Sequence, residues 1–353
     1  MNIVLCLSHS IEEYDQLRLL SGLGYEVFSI GGYIDPANPH STMRPALPEV
    51  PRHPELQAAV DALGTADNLG AAQACIPDAI LDWADVIIYH HYLDRLYGQW
   101  DRVKHKRVIW RTVGQSVEGN ERAAQPFRDD GLQIVRYSPK ERNLPGYAGE
   151  DALIRFYKDP ADYGGWTGED PTIINVTQDL YKRSLDEDGL PRGRQEWTNY
   201  SFWDQATAGL PRMPLGPGSE AIGGPGELTN DEMVGWLRRA RVYLYTGTQP
   251  ASYTLGLIEA MMTGIPVVSI GPQFMDIFPY GPELFEGHEI AGNCGTTMDG
   301  HVRSNERVVA NTRQILGDFL AKDLAWESNR TRTRAIELFG RDMIGAQWKA
   351  FLG

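Results

Sequence analysis

At 353 residues and 42% hydrophobic content the chain is long enough for two domains with well-filled cores, and its formal net charge of -14 works against polyanions, so a nucleic-acid partner would need a local basic patch. Cys6, Cys75 and Cys294 are few, odd in number and without metal spacing, which points to a reducing, cytoplasmic setting. No run approaches the roughly 18 apolar residues of a membrane span, and Asn2 to Leu7 is expected to be a first strand, not a signal peptide.

Ile3 to Leu7 reads as a strand, Glu12 to Leu23 as a helix stopped by Gly24, and Glu26 to Ile30 as the next strand. Gly22-Leu23-Gly24 follows the helix and does not join strand to helix, so the mechanics of a dinucleotide loop are missing. Asp35 to Pro54, dense in Pro, Asn and Ser, is a long loop, either plain surface or a holder of substrate elements. Helical pattern resumes at Glu55 to Leu63 and Ile76 to Trp83. Asp85 to Tyr89 is then a buried strand ending at His90-His91-Tyr92, Lys106 to Trp110 ends at Arg111 to Ser116, and Gln133 to Tyr137 ends at Ser138-Pro139. This alternation predicts a doubly wound parallel sheet. The Arg-rich pieces Arg102 to Arg111 and Arg330 to Arg341 read as a solvated strand flank and a solvated helix face, with nucleic-acid contact as the alternative.

Gly146 to Asp170 reads as the interdomain connection, and Thr172 to Thr177 opens a second βα series. Thr331 to Phe351 is one long helical pattern, with Ile336, Leu338, Phe339, Ile344, Trp348 and Phe351 apolar. The expected fold class is α/β: two Rossmann-like doubly wound domains facing across a cleft, residues 1–155 and 156–330, then the helix of 331–353.

The most informative stretch lies late in the second half. Arg241 to Thr246 is an apolar run, Pro250, Ala251, Ser252 and Thr254 mark a helix entrance, and Tyr253 to Thr263 is a helix stopped by Gly264 ahead of the buried strand Pro266-Val267-Val268-Ser269. In an open α/β sheet that entrance lies at the carboxyl ends of the strands, where ligands bind. Unpaired N–H groups of the first turn favour an anion, typically a phosphate, and the Ser252 and Thr254 hydroxyls can cap or donate. The bland reading of the same residues is an amphipathic helix packed on a parallel strand.

Glu259-Ala260-Met261, Gly264 and Pro266-Val267-Val268 together resemble the retaining GT-B glycosyltransferases of family 4, which carry a Glu, seven residues, then a second Glu followed by Ala-Met-x-x-Gly-x-Pro-Val-Val. Glu259 falls on the second Glu, and Ala251 stands where the first is expected. The resemblance implies a GT-B fold, with the terminal helix crossing back onto the first domain, and transfer of a sugar from a nucleoside-diphosphate donor, a UDP-sugar favoured. It implies Glu259 as holder of the ribose diol, with Ser252, Tyr253 and Thr254 beside it. It places diphosphate-binding cations after the first strand of the second domain, where Lys182, Arg183, Arg192 and Arg194 compete for the role with an ordinary solvated loop. The glycine-rich piece from Leu215 to Glu227, including Gly216, is a mobile connector or a contact for the base.

On the first domain His90 and His91 end a strand where acceptor and sugar would meet, and either can bond a sugar hydroxyl or steer the acceptor's proton. Their alternatives are a packed loop His or, poorly supported for adjacent residues, a zinc ligand. Thr112, Gln115, His9 and Ser10 complete this acceptor-side rim. In the family's front-face mechanism the leaving diphosphate helps accept that proton while cations such as Arg183 stabilise it, so no metal or other cofactor is expected; Asp186-Glu187-Asp188 reads as an exposed acidic turn. The acceptor stays open among glycans, metabolites and modified DNA bases. A nucleotide-sugar epimerase of the same fold and a non-catalytic nucleotide-sugar binder are the alternatives.

Overall fold

Strands apolar at every position must be covered on both faces, which parallel sheets flanked by helices achieve. The computed structural model describes residues 1–6, 10–31, 47, 50, 52–91, 93–113, 118–190, 199–246, 255–269, 289–290 and 306–353. It divides into two units, Met1–Tyr157 with Arg341–Gly353, and Lys158–Gly340. Among the described residues no helix is long and apolar enough to cross a membrane.

The first unit runs β1 (Asn2–Cys6), α1 (Ser10–Gly22), β2 (Glu26–Ser29), α2 (Pro54–Asp61), α3 (Asn68–Ala74), α4 (Asp78–Trp83), β3 (Val86–His90), α5 (Asp94–Tyr97), α6 (Trp100–Val103), β4 (Arg107–Arg111), α7 (Glu118–Asp129), β5 (Gln133–Arg136) and β6 (Ala152–Leu153). The strands pair in parallel in the order β2-β1-β3-β4-β5-β6. Alternate residues feed two cores. Val4, Ile87, Tyr89, Trp110 and Ile134 face one layer; Ile3, Leu5, Ile88, Ile109 and Val135 face the other.

The second unit runs β7 (Asp170–Val176), α8 (Tyr200–Thr207), β8 (Arg212–Leu215), α9 (Asn230–Arg239), β9 (Ala240–Tyr245), α10 (Leu255–Thr263), β10 (Val267–Ser269), β11 (Glu289–Ile290), α11 (Glu306–Ala321) and α12 (Ala325–Phe339). Its parallel sheet has the order β11-β10-β9-β7-β8. In both sheets strand order therefore reverses at one place, between β1 and β3 and between β7 and β9. Ligands of such sheets sit beyond the carboxyl ends of the strands at that switch point.

Three readings need correction. The helical pattern from Thr331 to Phe351 breaks at Gly340, where a Cβ would lie only 2.5 Å from the Ile336 carbonyl oxygen. The chain restarts as α13 (Arg341–Leu352), whose Ile344, Trp348 and Leu352 join the core layer of Ile3 and Leu5 in the first unit. The presumed connection Gly146 to Asp170 supplies β6 to the first sheet before the chain changes unit. Finally, the Arg102 to Arg111 stretch is not uniformly solvated. Arg107 donates to the Leu352 and Phe351 carbonyls at 2.8 and 2.6 Å, closing the end of α13, and Arg111 is buried.

Candidate functional site

In the second unit the switch point lies between Val176 and Tyr245. Asn175, fully buried, donates to the Leu244 carbonyl at 2.9 Å and to Thr246 Oγ1 at 3.3 Å, fastening the end of β9 to β7. Asn199 donates to the Thr246 carbonyl at 2.7 Å from the other side. Beyond that end comes α10, whose first turn presses on β7: a Cβ at Gly256 would meet Val176 Cγ1 at 3.5 Å. One turn later stands Glu259, among the buried apolar Ile258, Ala260, Met261 and Met262. Its Oε1 accepts from Lys158 Nζ at 2.7 Å, with the two side chains 8% and 0% exposed. Burial raises the pKa of the nearby Tyr243 hydroxyl, and the charge of Glu259 adds to that shift.

The loops after β7 and β8 are clipped together. Thr177 N–H donates to the Leu215 carbonyl at 3.2 Å and Asp179 N–H to the Pro217 carbonyl at 2.7 Å. Gly216 and Gly218 hold φ of 106° and 80°, and a Cβ on Gly218 would lie 2.5 Å from Asp179 Oδ1, so this close approach requires glycine. The chain then makes a single 3-10 turn, Lys182–Ser184, with Lys182 exposed and Arg183 half-buried. Neither side chain is ion-paired with a described residue.

At the carboxyl end of the first sheet, His90 is opposite Arg111 in register and His91 leaves β3 with φ 64°, a left-handed conformation uncommon outside glycine. His91 is pinned at both backbone groups, its N–H donating to the Arg111 carbonyl at 3.0 Å and its carbonyl accepting from Trp110 Nε1 at 3.2 Å. His90 is buried, its Nδ1 3.3 Å from Glu12 Oε1 on α1. Burial lowers the pKa of both imidazoles, and in each case the Glu12 charge opposes it. Thr112 is buried too, and its hydroxyl donates inward to Glu141 Oε2 at 2.9 Å. Ser10 is the first residue of α1. His9, Gln115, Arg192, Arg194, Ser252, Tyr253 and Thr254 lie outside the described residues, as do Ala251 and most of the loop from Asp35 to Pro54.

The charges that organise these strand ends carry little signal in the local sequence. Arg136, closing β5, is fully buried and forms a fork with Glu121, Nη1 to Oε1 at 2.7 Å and Nη2 to Oε2 at 2.6 Å, with the guanidinium flanked by the Trp110 and Tyr147 rings. Arg111 donates to the Ile154 carbonyl and lies over the rings of Phe156 and Trp348. Glu141 accepts from the N–H groups of Tyr137 and Ser138 at 3.1 and 3.2 Å; the spacing Ser138-Pro139-Lys140-Glu141, a capping-box pattern, was the available signal. Burial lifts the Glu141 carboxyl to about 7. Arg136, forked to Glu121 and 3.7 Å from Glu141 Oε1, pulls the other way without reversing that shift. Lys158, inside a polar stretch that reads as linker, carried no local signal at all.

No family profile matches the sequence, and no curated protein matches it. Solved structures do share its fold. HepE of Anabaena, solved with UDP and glucose, superposes with a TM-score of 0.64 at 13% identity, covering 100% of this chain and 99% of that one. HepE solved with UDP-glucose gives 0.62 at 12% identity, over 100% and 99% of the two chains. A glycosyltransferase from Rickettsia africae gives 0.62 at 10% identity, over 99% and 98%. The chain thus has the GT-B fold, two Rossmann-like α/β units, which it shares with these solved structures.

Proposed function

We propose that this protein is a glycosyltransferase that moves a sugar from a nucleoside-diphosphate sugar, a UDP-sugar in the first instance, to an acceptor hydroxyl. The observation that carries the reading is Glu259: a buried, ion-paired carboxylate one turn into the helix that follows the switch-point strand β9. An ionised carboxylate there accepts both hydroxyls of a ribose, and the surrounding sequence resembles the family 4 donor motif apart from Ala251 in place of its first Glu. The UDP and UDP-glucose held by HepE, a protein of the same fold, support this choice of donor.

In this reading Lys182 and Arg183 meet the diphosphate, and the loop of Gly216 and Gly218 lets the backbone approach the nucleotide. His91, the less buried of the two histidines, acts on the acceptor side, where a neutral imidazole is able to take or relay a proton, and buried His90 stands behind it against Glu12. Transfer is retaining and metal-independent, with the leaving diphosphate accepting the acceptor's proton while the cations stabilise its charge; positioning and electrostatics supply most of the acceleration. Ala251, in place of the family's first Glu, is where the sugar preference of this chain departs from its relatives.

The test is thermal stabilisation by a panel of nucleotide sugars, where a ligand at one hundred times its dissociation constant adds roughly 2.7 kcal/mol. Wild-type protein is expected to respond to at least one donor and Glu259→Ala protein to none. An equal response from both would remove the ribose assignment. Binding without transfer or hydrolysis would select a non-catalytic binder, and an epimerised donor an epimerase.

A further inference from the structure

We infer that Lys158 is a positioning residue of the donor site, holding Glu259 ionised and oriented so that its carboxylate accepts the ribose hydroxyls of a nucleoside diphosphate. This rests on the reading of Glu259 given above and adds a residue that lies 101 positions away in the chain. The ammonium donates to Oε1 at 2.7 Å from a side chain with no solvent exposure. Its own backbone is fixed, since Lys158 N–H donates to the Phe339 carbonyl at 3.0 Å at the end of α12. Glu259 is fixed from the other direction, because Thr263 Oγ1 donates to its carbonyl at 2.8 Å inside α10. Both partners are thus set on rigid backbone.

The physical need for such a cation is plain. A carboxyl surrounded by Ile258, Met261 and Met262 would tend to take up a proton, and the neutral acid offers a donor where a diol needs acceptors. An ammonium at hydrogen-bond distance opposes that tendency and fixes the direction in which the carboxylate points. A purely structural pair is the rival explanation, and it makes a different forecast. Buried ion pairs are seldom net stabilisers, and replacing both partners by apolar residues is often neutral or favourable for folding. Stability and ligand binding therefore separate the two.

The experiment measures, by calorimetry, the affinity of UDP, GDP, ADP and dTDP for wild-type protein. The tightest of them is then titrated into K158M, K158R, E259Q and the double variant K158M/E259L, alongside steady-state kinetics with the matching nucleotide sugar. K158M is expected to weaken the nucleotide by about tenfold to a hundredfold, the size of a lost charge-assisted hydrogen bond, and to raise donor KM by a similar factor with kcat changed far less. K158R is expected to recover most of the affinity. The double variant is expected to melt no lower than wild type while failing to bind. Unchanged affinity in K158M, with binding lost in E259Q, overturns the role of Lys158 and leaves Glu259 standing. Unchanged affinity in E259Q, or no nucleotide bound by wild type, removes the donor-site reading itself. If K158M does not fold, K158R decides: folded protein binding at the E259Q level overturns the inference.

Discussion

The Thr112 hydroxyl donates to Glu141 Oε2 at 2.9 Å, tying the segment after β4 to the turn after β5 at the carboxyl end of the first sheet. That carboxyl is lifted from 4.5 to about 7 by burial. Between those values the folded protein binds a proton that the unfolded chain does not. The resulting stability is complete below 4.5 and lost as pH rises through about 7. Glu141→Gln, permanently neutral, should lack this slope. Urea midpoints at about pH 5 and about pH 8 should differ between the two proteins by an amount equivalent to roughly 3 kcal/mol. Parallel pH profiles would show that Glu141 is ionised throughout.

His90 predicts the opposite slope in an overlapping window. Burial holds its pKa below 6.5, against the pull of Glu12, so the imidazole is neutral in the folded state at neutral pH. The stability that depends on it is present above 6.5 and declines as pH falls. The nuclear magnetic resonance titration of the His90 ring should show a midpoint below 6.5, and Glu12→Gln should move it further down. A midpoint above 6.5 would mean that Glu12 outweighs burial.

Arg136 and Glu121 are both fully buried, and each would be left as an uncompensated charge without the other. Glu121→Ala should cost about 3–5 kcal/mol in chemical denaturation, whereas replacing both by apolar residues should cost far less. Equal losses in the single and double variants would contradict a desolvation account.

Gly218 keeps the loops after β7 and β8 in contact at φ 80°. Gly218→Ala should destabilise by about 1–2 kcal/mol for the left-handed conformation alone, before the 2.5 Å approach to Asp179 is counted. The same variant should weaken nucleotide binding in calorimetry. Retained affinity would detach this loop from the donor site.

Trp348 is fully buried in the core of the first unit although it lies only a few residues from the end of the chain. Trp348→Ala should lower stability by about 3–5 kcal/mol. A loss below about 1 kcal/mol would mean that α13 contributes little to that core.

The sequence alone determined the elements whose signal is local. Ile87-Ile88-Tyr89 and Val108-Ile109-Trp110 could only be strands covered on both faces, Gly264 could only end α10, and Glu259 stood out because its neighbours formed a motif in register. What the tertiary structure decided were the partners of charge. Arg111 and Arg136 look like solvated ends of strands until the fold brings rings and Glu121 around them. The break at Gly340 was hidden because apolar spacing continues on both sides of it. Lys158 lay in a stretch with no periodicity and meets Glu259 only when the second unit is folded. Patterning of apolar residues is written along the chain, since each position reports its own burial. The pairing of Lys158 with Glu259 is a property of two positions 101 apart at once, and no local window of sequence contains both.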